Sequence, residues 1–496
     1  MNSRRRSGVL LPVSALPSPH GIGDFGPAAT GFIDHLRCAR MGIWQVLPLH
    51  PAGPDGSPYY ANSSFAGNPL LISLSALADQ DLISGEECRS AALPSGQVSY
   101  GEAGRIRKLL LGRAVERVLR EGYRGDVDEF AARNSEWLSD YALFSILKER
   151  HNDLPWNLWD RPYRLRDISS LKEAEWRYRD KIQEIEVIQW LFNRQWDALR
   201  SHAGSNGIQL LGDMPIYPTH DSADVWAHQH LFCLDADGTP IDVAGVPPDY
   251  FSRTGQRWGN PLYRWEEHQQ EGFSWWLSRI GRALSLYDLV RIDHFRGLSA
   301  YWAIPNEYRT AAGGRWIAAP GEALIDAIRK RFGGDNLIAE DLGVIDQPVR
   351  TLMERAQIPG MRVLLFAFGG DTDNPHLPFN HPENAVVYTG THDNPPVKGW
   401  FIDEATVAER SYLKRYAGRD IGKDEVSDLF IRLAFSSVAR YAIIPVQDLL
   451  NLGSEARMNR PGTQTGNWLW RLHSDWPAEE VQIRLRQYAE TYGRVE

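Results

Sequence analysis

Cysteine is scarce in this chain of 496 residues. The three present, Cys38, Cys88 and Cys233, are scattered and form no C-x-x-C pair. That speaks against a disulfide framework and suits a reducing compartment, so the expected location is the cytoplasm. Long apolar runs are missing as well. No stretch approaches the roughly 18 residues of a membrane span, and no membrane partner is expected. Positive charge is in deficit: 54 Lys and Arg stand against 63 Asp and Glu, a net charge of -9. A nucleic-acid footprint wants a basic face, so nucleic acid is not an expected partner either. Internal repeats, low-complexity segments and interdomain linkers are absent. Arg4-Arg5-Arg6 followed by Val9-Leu10-Leu11 superficially resembles an export signal. Pro12 and Pro17 break the apolar run and no small-residue cleavage site follows, so a first β-strand is expected there.

What is present is an ordinary globular composition, 43% hydrophobic and 24% charged, with ample material for a core. Tryptophan is abundant at 18 residues, beside 19 tyrosines. Most will be buried, yet both types also offer flat faces with a polar edge, on which sugar rings stack.

Eight apolar runs end in a polar residue, Gly or Pro: residues 8–13, 43–48, 208–213, 289–293, 336–340, 362–368, 385–390 and 442–446. Nearly continuous hydrophobicity, without alternation, marks strands buried on both faces. Helical stretches lie between several of them, including 27–40, 273–286, 324–332 and 349–356. The pattern predicts an α/β fold, a (β/α)8 TIM barrel with helical and loop insertions at the C-terminal rim. Residues 1–75 and 201–496 would form the barrel. Residues 76–200, helical at about 104–120 and 174–199, would form an inserted subdomain. A second insertion, 219–272, has a core rich in Gly, Pro and Asp at 235–263, and reads as a long loop of the kind that serves as a lid.

The stretch Asp288-Leu289-Val290-Arg291-Ile292-Asp293-His294-Phe295-Arg296-Gly297 organises the rest. On a strand, i and i+2 share a face, so Arg291 would sit beside Asp293 and hold its carboxylate ionised. Asp293 ends the fourth run, Glu340 the fifth and Asp213 the third, and Asp393, in Thr391-His392-Asp393-Asn394, follows the seventh. In a barrel all four converge at the C-terminal rim. Two carboxyl groups flanking a bond, one ionised and one protonated, are the machinery of glycoside cleavage. Glu340, at the end of an apolar strand and facing other acids, is expected to have a raised pKa. The plainer reading is that strand-end acids cap nearby helices. Parity leaves open whether Glu340 or Asp341 faces inward.

Two competing motifs are weaker. Gly21-Ile22-Gly23-Asp24-Phe25-Gly26 fits G-x-G-x-x-G. A dinucleotide fold would then need an acid ending the second strand, which instead ends in Pro48-Leu49-His50-Pro51, and Asp24 would repel a pyrophosphate. His228-Gln229-His230 is an H-x-H outside any predicted strand, and His294 and His392 suit sugar hydroxyls as well as a metal. No metal and no cofactor are expected. A glucan-binding scaffold without catalysis would leave the acids unexplained.

Taken together, Ser14-Ala15-Leu16-Pro17-Ser18-Pro19-His20-Gly21-Ile22-Gly23-Asp24, Trp44-Gln45-Val46-Leu47-Pro48-Leu49, Ser57-Pro58-Tyr59, Gly212-Asp213-Met214-Pro215-Ile216, Thr254-Gly255-Gln256-Arg257-Trp258-Gly259-Asn260-Pro261, Ala339-Glu340-Asp341-Leu342-Gly343 and the two motifs around Asp293 and Asp393 resemble the amylomaltases. These are the 4-α-glucanotransferases of glycoside hydrolase family seventy-seven. The resemblance covers essentially the whole chain. It implies Asp293 as nucleophile, Glu340 as general acid/base, and Asp393 as a grip on sugar hydroxyls that favours the distorted ring. Arg291, His294, His392, Asp213 and Tyr59 would line the same subsite, and Asp249, Gln256 and Trp258 would touch the glucan from a closing loop. The implied reaction is a retaining transfer of α-1,4-glucan segments from a maltooligosaccharide to the 4-hydroxyl of a glucan or glucose. The alternative is an α-1,4-glucan hydrolase on the same fold. Some members carry an extra Tyr before Tyr59 for a second glucan site. Residues 51–56 hold no aromatic, so that site is not carried over.

Overall fold

A computed structural model describes residues 5–53, 55–248, 252–463, 465–476 and 479–495. Among these, twelve strands follow one another as β1 (Arg6–Leu10), β2 (Ile43–Gln45), β3 (Gln209–Met214), β4 (Asp242–Val246), β5 (Gln256–Pro261), β6 (Leu289–Ile292), β7 (Ala300–Pro305), β8 (Arg315–Ala318), β9 (Leu337–Ala339), β10 (Gly360–Val363), β11 (Ala385–Tyr388) and β12 (Tyr441–Pro445). Eight of them form one parallel sheet in the order β10-β11-β12-β1-β2-β3-β6-β9. The amide of Ala339, ending β9, donates to the carbonyl of Pro359 just ahead of β10 at 2.9 Å. That bond brings the sheet's two edges together, and the eight strands circle the axis in chain order. This is the predicted TIM barrel, built on the eight predicted runs.

Burial on both faces explains why those runs look continuous: β2, β6, β11 and β12 are buried at every residue. The helices show the other period. Pro27–Cys38 begins with Pro at its first turn, where no amide partner is lost. It buries Ala29, Phe32, Ile33 and Leu36, the i, i+3, i+4, i+7 stripe of a helix lying on a sheet. Between β2 and β3 the chain is helical from Leu74–Asp79 through Tyr100–Arg120 and Ser135–Arg150 to Arg179–Ser205. The last of these packs on Pro27–Cys38 and on the inserted helices alike, so one helix serves both the barrel and its insertion.

Two stretches differ from expectation. The sixth run, 362–368, straddles a strand end: β10 stops at Val363, and Leu364–Phe366 is a single 3₁₀ turn whose Leu364 and Leu365 are buried. A buried turn has the same apolar signature as a strand. The Gly- and Pro-rich segment 235–263 is not a plain loop. It supplies β4 and β5, which join β7 and β8 in an antiparallel sheet ordered β5-β4-β7-β8. The register slips between Val243 and Gly245, which destroys the two-residue alternation a strand search relies on. Gly245 is there for close approach, because a Cβ would lie 2.1 Å from the carbonyl oxygen of Gln256 on β5.

Candidate active site

The four acids do gather at the C-terminal ends of the barrel strands, around one buried guanidinium. Parallel pairing sets Asp213 of β3 directly beside Arg291 of β6. The side chains meet bidentately: Arg291 Nε donates to Asp213 Oδ1 at 3.0 Å and Nη2 to Oδ2 at 2.5 Å. Asp213 is fully buried and Arg291 only 4% exposed, so this pair forms a planar, desolvated fork. Asp293, one residue past β6, lies 3.0 Å from the same Nη2. Its amide donates to the carbonyl of Met214 at 2.9 Å, which holds the strand end in place.

The expectation that Arg291 beside Asp293 keeps its carboxylate ionised needs correction. Burial pushes the Asp293 carboxyl up, Arg291 opposes this, and Asp213, Glu340 and Asp393 add to the rise. Burial is the larger cause, and the pull of Arg291 is divided, because Asp213 holds two of its N–H groups.

Glu340 follows β9, and both its oxygens are held by main chain. Oε2 accepts the amide of His294 and Oε1 that of Leu342, each at 2.7 Å. The first donor belongs to the residue immediately after Asp293, so the two acids sit on interlocked loops. Burial raises the Glu340 carboxyl to about 7, against the opposing pull of Arg291 and the two amides. Asp341 turns the other way. It accepts from the Met361 amide at 2.5 Å and pairs with Arg362 at 3.1 Å, against β10. The parity question is thereby answered: Glu340 faces the cluster and Asp341 braces the neighbouring strand.

His294 adopts a left-handed backbone, φ 52°, which is uncommon for a residue with a Cβ. That turn aims its amide at Glu340. Burial keeps its imidazole neutral, with the pKa lowered to about 3, and the ring meets Trp258 edge to face at 4.8 Å. Trp258 and Gln256 lie on β5, joined by a 3.1 Å bond from the indole N–H to the Gln256 side-chain oxygen. Among the described residues, it is the Trp258 ring that meets the cluster, through His294. Asp249, expected on the same segment, lies outside the described residues.

Tyr59 closes the opposite side. Its hydroxyl donates to Asp213 at 2.5 Å, lies 2.9 Å from His392 Nε2 and accepts from Arg291 at 3.3 Å. Burial, with Asp213 adding, raises its pKa well above the ordinary value, so the phenol stays a donor. His392, which burial keeps neutral, stacks on Tyr59 with ring centres 5.3 Å apart. Its Nε2 lies 3.4 Å from Asp393 Oδ2.

Three residues of this wall escaped the sequence reading. Asn459 donates to Asp393 Oδ1 at 2.6 Å. Arg457 donates to the Asp393 carbonyl at 2.8 Å. Trp468, itself left-handed at φ 62°, packs against both Tyr59 and His392. All three come from the segment after β12, where no strand-end register points at the rim. The surplus of tryptophan was the one signal available, and it does not single out a position. Among the described residues, no three His, Cys, Asp or Glu side chains gather as a metal site would require. Among the described residues, no helix is long and apolar enough to cross a membrane.

Fold and rim together define a (β/α)8 barrel with carboxyl groups clustered at its C-terminal rim. The comparisons give the family. A family profile described as 4-alpha-glucanotransferase, glycoside hydrolase family 77, matches residues 11–476. The chain is 47% identical over 513 residues to the 4-alpha-glucanotransferase of Thermus thermophilus, covering the whole of both, and 46% identical to the chloroplastic/amyloplastic enzyme of Solanum tuberosum, covering all of this chain and 87% of that one. Its fold superposes with a TM-score of 0.96 on the amylomaltase of Streptococcus agalactiae solved with acarbose, at 36% identity over 99% of this chain and 100% of the other. The chain belongs to the 4-alpha-glucanotransferase family and is an enzyme of that class.

Proposed function

We propose that the protein transfers α-1,4-glucan segments from a donor maltooligosaccharide to the 4-hydroxyl of an acceptor glucan or glucose, with retention of configuration. The observation that carries this is the unlike environment of two adjacent acids. Asp293 has a cation at 3.0 Å and keeps 31% of its side chain exposed. Glu340 has two amides and no ion pair among the described residues. Their charges interact, Glu340 being one of the acids that raise Asp293. A proton on Glu340 removes one of the charges that raise Asp293, leaving that carboxylate facing Arg291.

In that state Glu340 protonates the departing glycosidic oxygen while Asp293 attacks the anomeric carbon. The reducing-end fragment leaves, and the remainder is esterified to Asp293. Glu340, now ionised, takes the proton of the incoming 4-hydroxyl, the ester breaks, and the starting protonation returns. Asp393, oriented by Asn459, grips hydroxyls of the sugar at the cleavage point. Tyr59, Asp213, Arg291, His294 and His392 shape that subsite. The 219–272 insertion acts as a lid, its β4 and β5 braced by β7 and β8 from beyond β6, with Gln256 and Trp258 toward the glucan. Excluding water there favours transfer over hydrolysis. The partners are α-1,4-glucans, maltooligosaccharides and glucose. The free thiols support a cytoplasmic setting.

Maltotriose tests the reaction. A ladder of longer oligosaccharides together with glucose is the expected product. Glucose and maltose without longer products would identify a hydrolase instead.

A further inference from the structure

The general acid and the nucleophile sit on separate loops, and something must fix one loop against the other. Arg296, three residues past Asp293, is 5% exposed, yet no carboxyl of the cluster touches it. Its guanidinium reaches the loop that follows Glu340. Nη1 donates to the carbonyl of Val344, and Nη2 lies 3.4 Å from Asp346 Oδ2. The flat face of the same guanidinium lies over the Trp316 ring of β8, 3.9 Å from its centre. Asp346 in turn caps the helix Gln347–Ala356, accepting from the Val349 amide at 3.4 Å. One side chain therefore joins the turn after β6, the turn after β9 and the antiparallel sheet.

We propose that Arg296 is a positioning residue that holds the Glu340 loop at its working distance from Asp293, with Trp316 clamping the guanidinium in the required plane. This rests on the retaining mechanism above and adds the part that sets the gap between its two acids. The Glu340 loop is thinly supported elsewhere. Val344 is 67% exposed, and Gly343 has a positive φ of 83°, so the loop gains little from burial. Main-chain bonds from His294 and Phe295 hold Glu340 itself, but past Leu342 the turn is held by Arg296 and by half-buried Ile345, which packs on the core. Lysine cannot replace it, because a point charge gives neither a planar face for Trp316 nor two separated donors. A displacement of about 1 Å at a reacting group costs on the order of 100-fold in rate.

The test separates acid-dependent from acid-independent turnover in Arg296→Lys and Trp316→Ala. With maltotriose, kcat should fall about 10- to 100-fold in Arg296→Lys and about 3- to 10-fold in Trp316→Ala, with KM changed less than about threefold. With α-maltosyl fluoride as donor and azide as acceptor, fluoride leaves without a proton and azide attacks the ester without a base. Both steps then bypass Glu340, and each variant should come within about threefold of the wild type. An equal loss with both substrates, or no loss with maltotriose, overturns the proposal. Trp316→Ala carries the same test if Arg296→Lys fails to fold, since it removes only the stacked ring. If the wild type itself makes no ladder from maltotriose, the transfer reading falls. A ladder from the wild type with unimpaired variants sinks the Arg296 role alone.

Discussion

Replacing Glu340 by Gln tests the electrostatics of the site through stability, independently of turnover. The carboxyl is raised from the ordinary 4.5 to about 7, so between those values the folded protein holds a proton that the unfolded chain has lost. Stability therefore falls as pH rises through this window and levels off above it. At about 1.4 kcal/mol per pKa unit the full loss is about 3 kcal/mol, nearly complete by pH 8.5, with under about 1 kcal/mol of it present at pH 5. Gln carries no charge and escapes the loss. It does turn an NH2 toward one of the two amides that Glu340 now accepts, at a cost of about 1–2 kcal/mol that does not vary with pH. The informative quantity is thus the difference of differences. Urea unfolding of wild type and Glu340→Gln at pH 5 and pH 8.5 should show the variant gaining about 2–3 kcal/mol relative to wild type. Asp293 is raised in part by Glu340, so its relief in the variant acts in the same direction. Parallel stabilities across this range would refute the claim that Glu340 is held protonated by its surroundings.

Other expectations follow from the same geometry. Asp293→Asn should lower kcat by more than about 1000-fold while the far-ultraviolet spectrum stays that of the wild type; near-normal turnover would remove Asp293 as nucleophile. Asp213→Asn leaves the buried Arg291 with Asp293 as its remaining carboxylate, and should cost about 2–4 kcal/mol in urea unfolding. The alkaline limb of kcat/KM for maltotriose should fall near pH 7, where Glu340 loses its proton, and should vanish with the fluoride donor and azide.

Much of this was legible in the residues. Eight continuous apolar runs gave eight barrel strands, because a strand buried on both faces has to be apolar throughout. The acids following 292, 339 and 388 could be placed on one rim because a parallel barrel puts every strand's C-terminal end on the same side. The antiparallel sheet was not legible: short strands broken by Gly245, Gly259 and a register slip carry no alternation. Nor were Asn459, Arg457 and Trp468, which reach Asp393 and His392 from the far end of the chain.

Local sequence thus determined which segments are strands and which of them end in acids, since burial and backbone period act over a few residues. It did not determine what each acid touches. That Arg291 forks onto Asp213 before Asp293, that Glu340 turns inward while Asp341 braces β10, and that Arg296 spans two loops to Trp316 were decided by which strands adjoin and in what register. Charges interact through space, and only the folded barrel brings residues 213, 291, 293 and 340 close enough for one guanidinium to divide its pull among them.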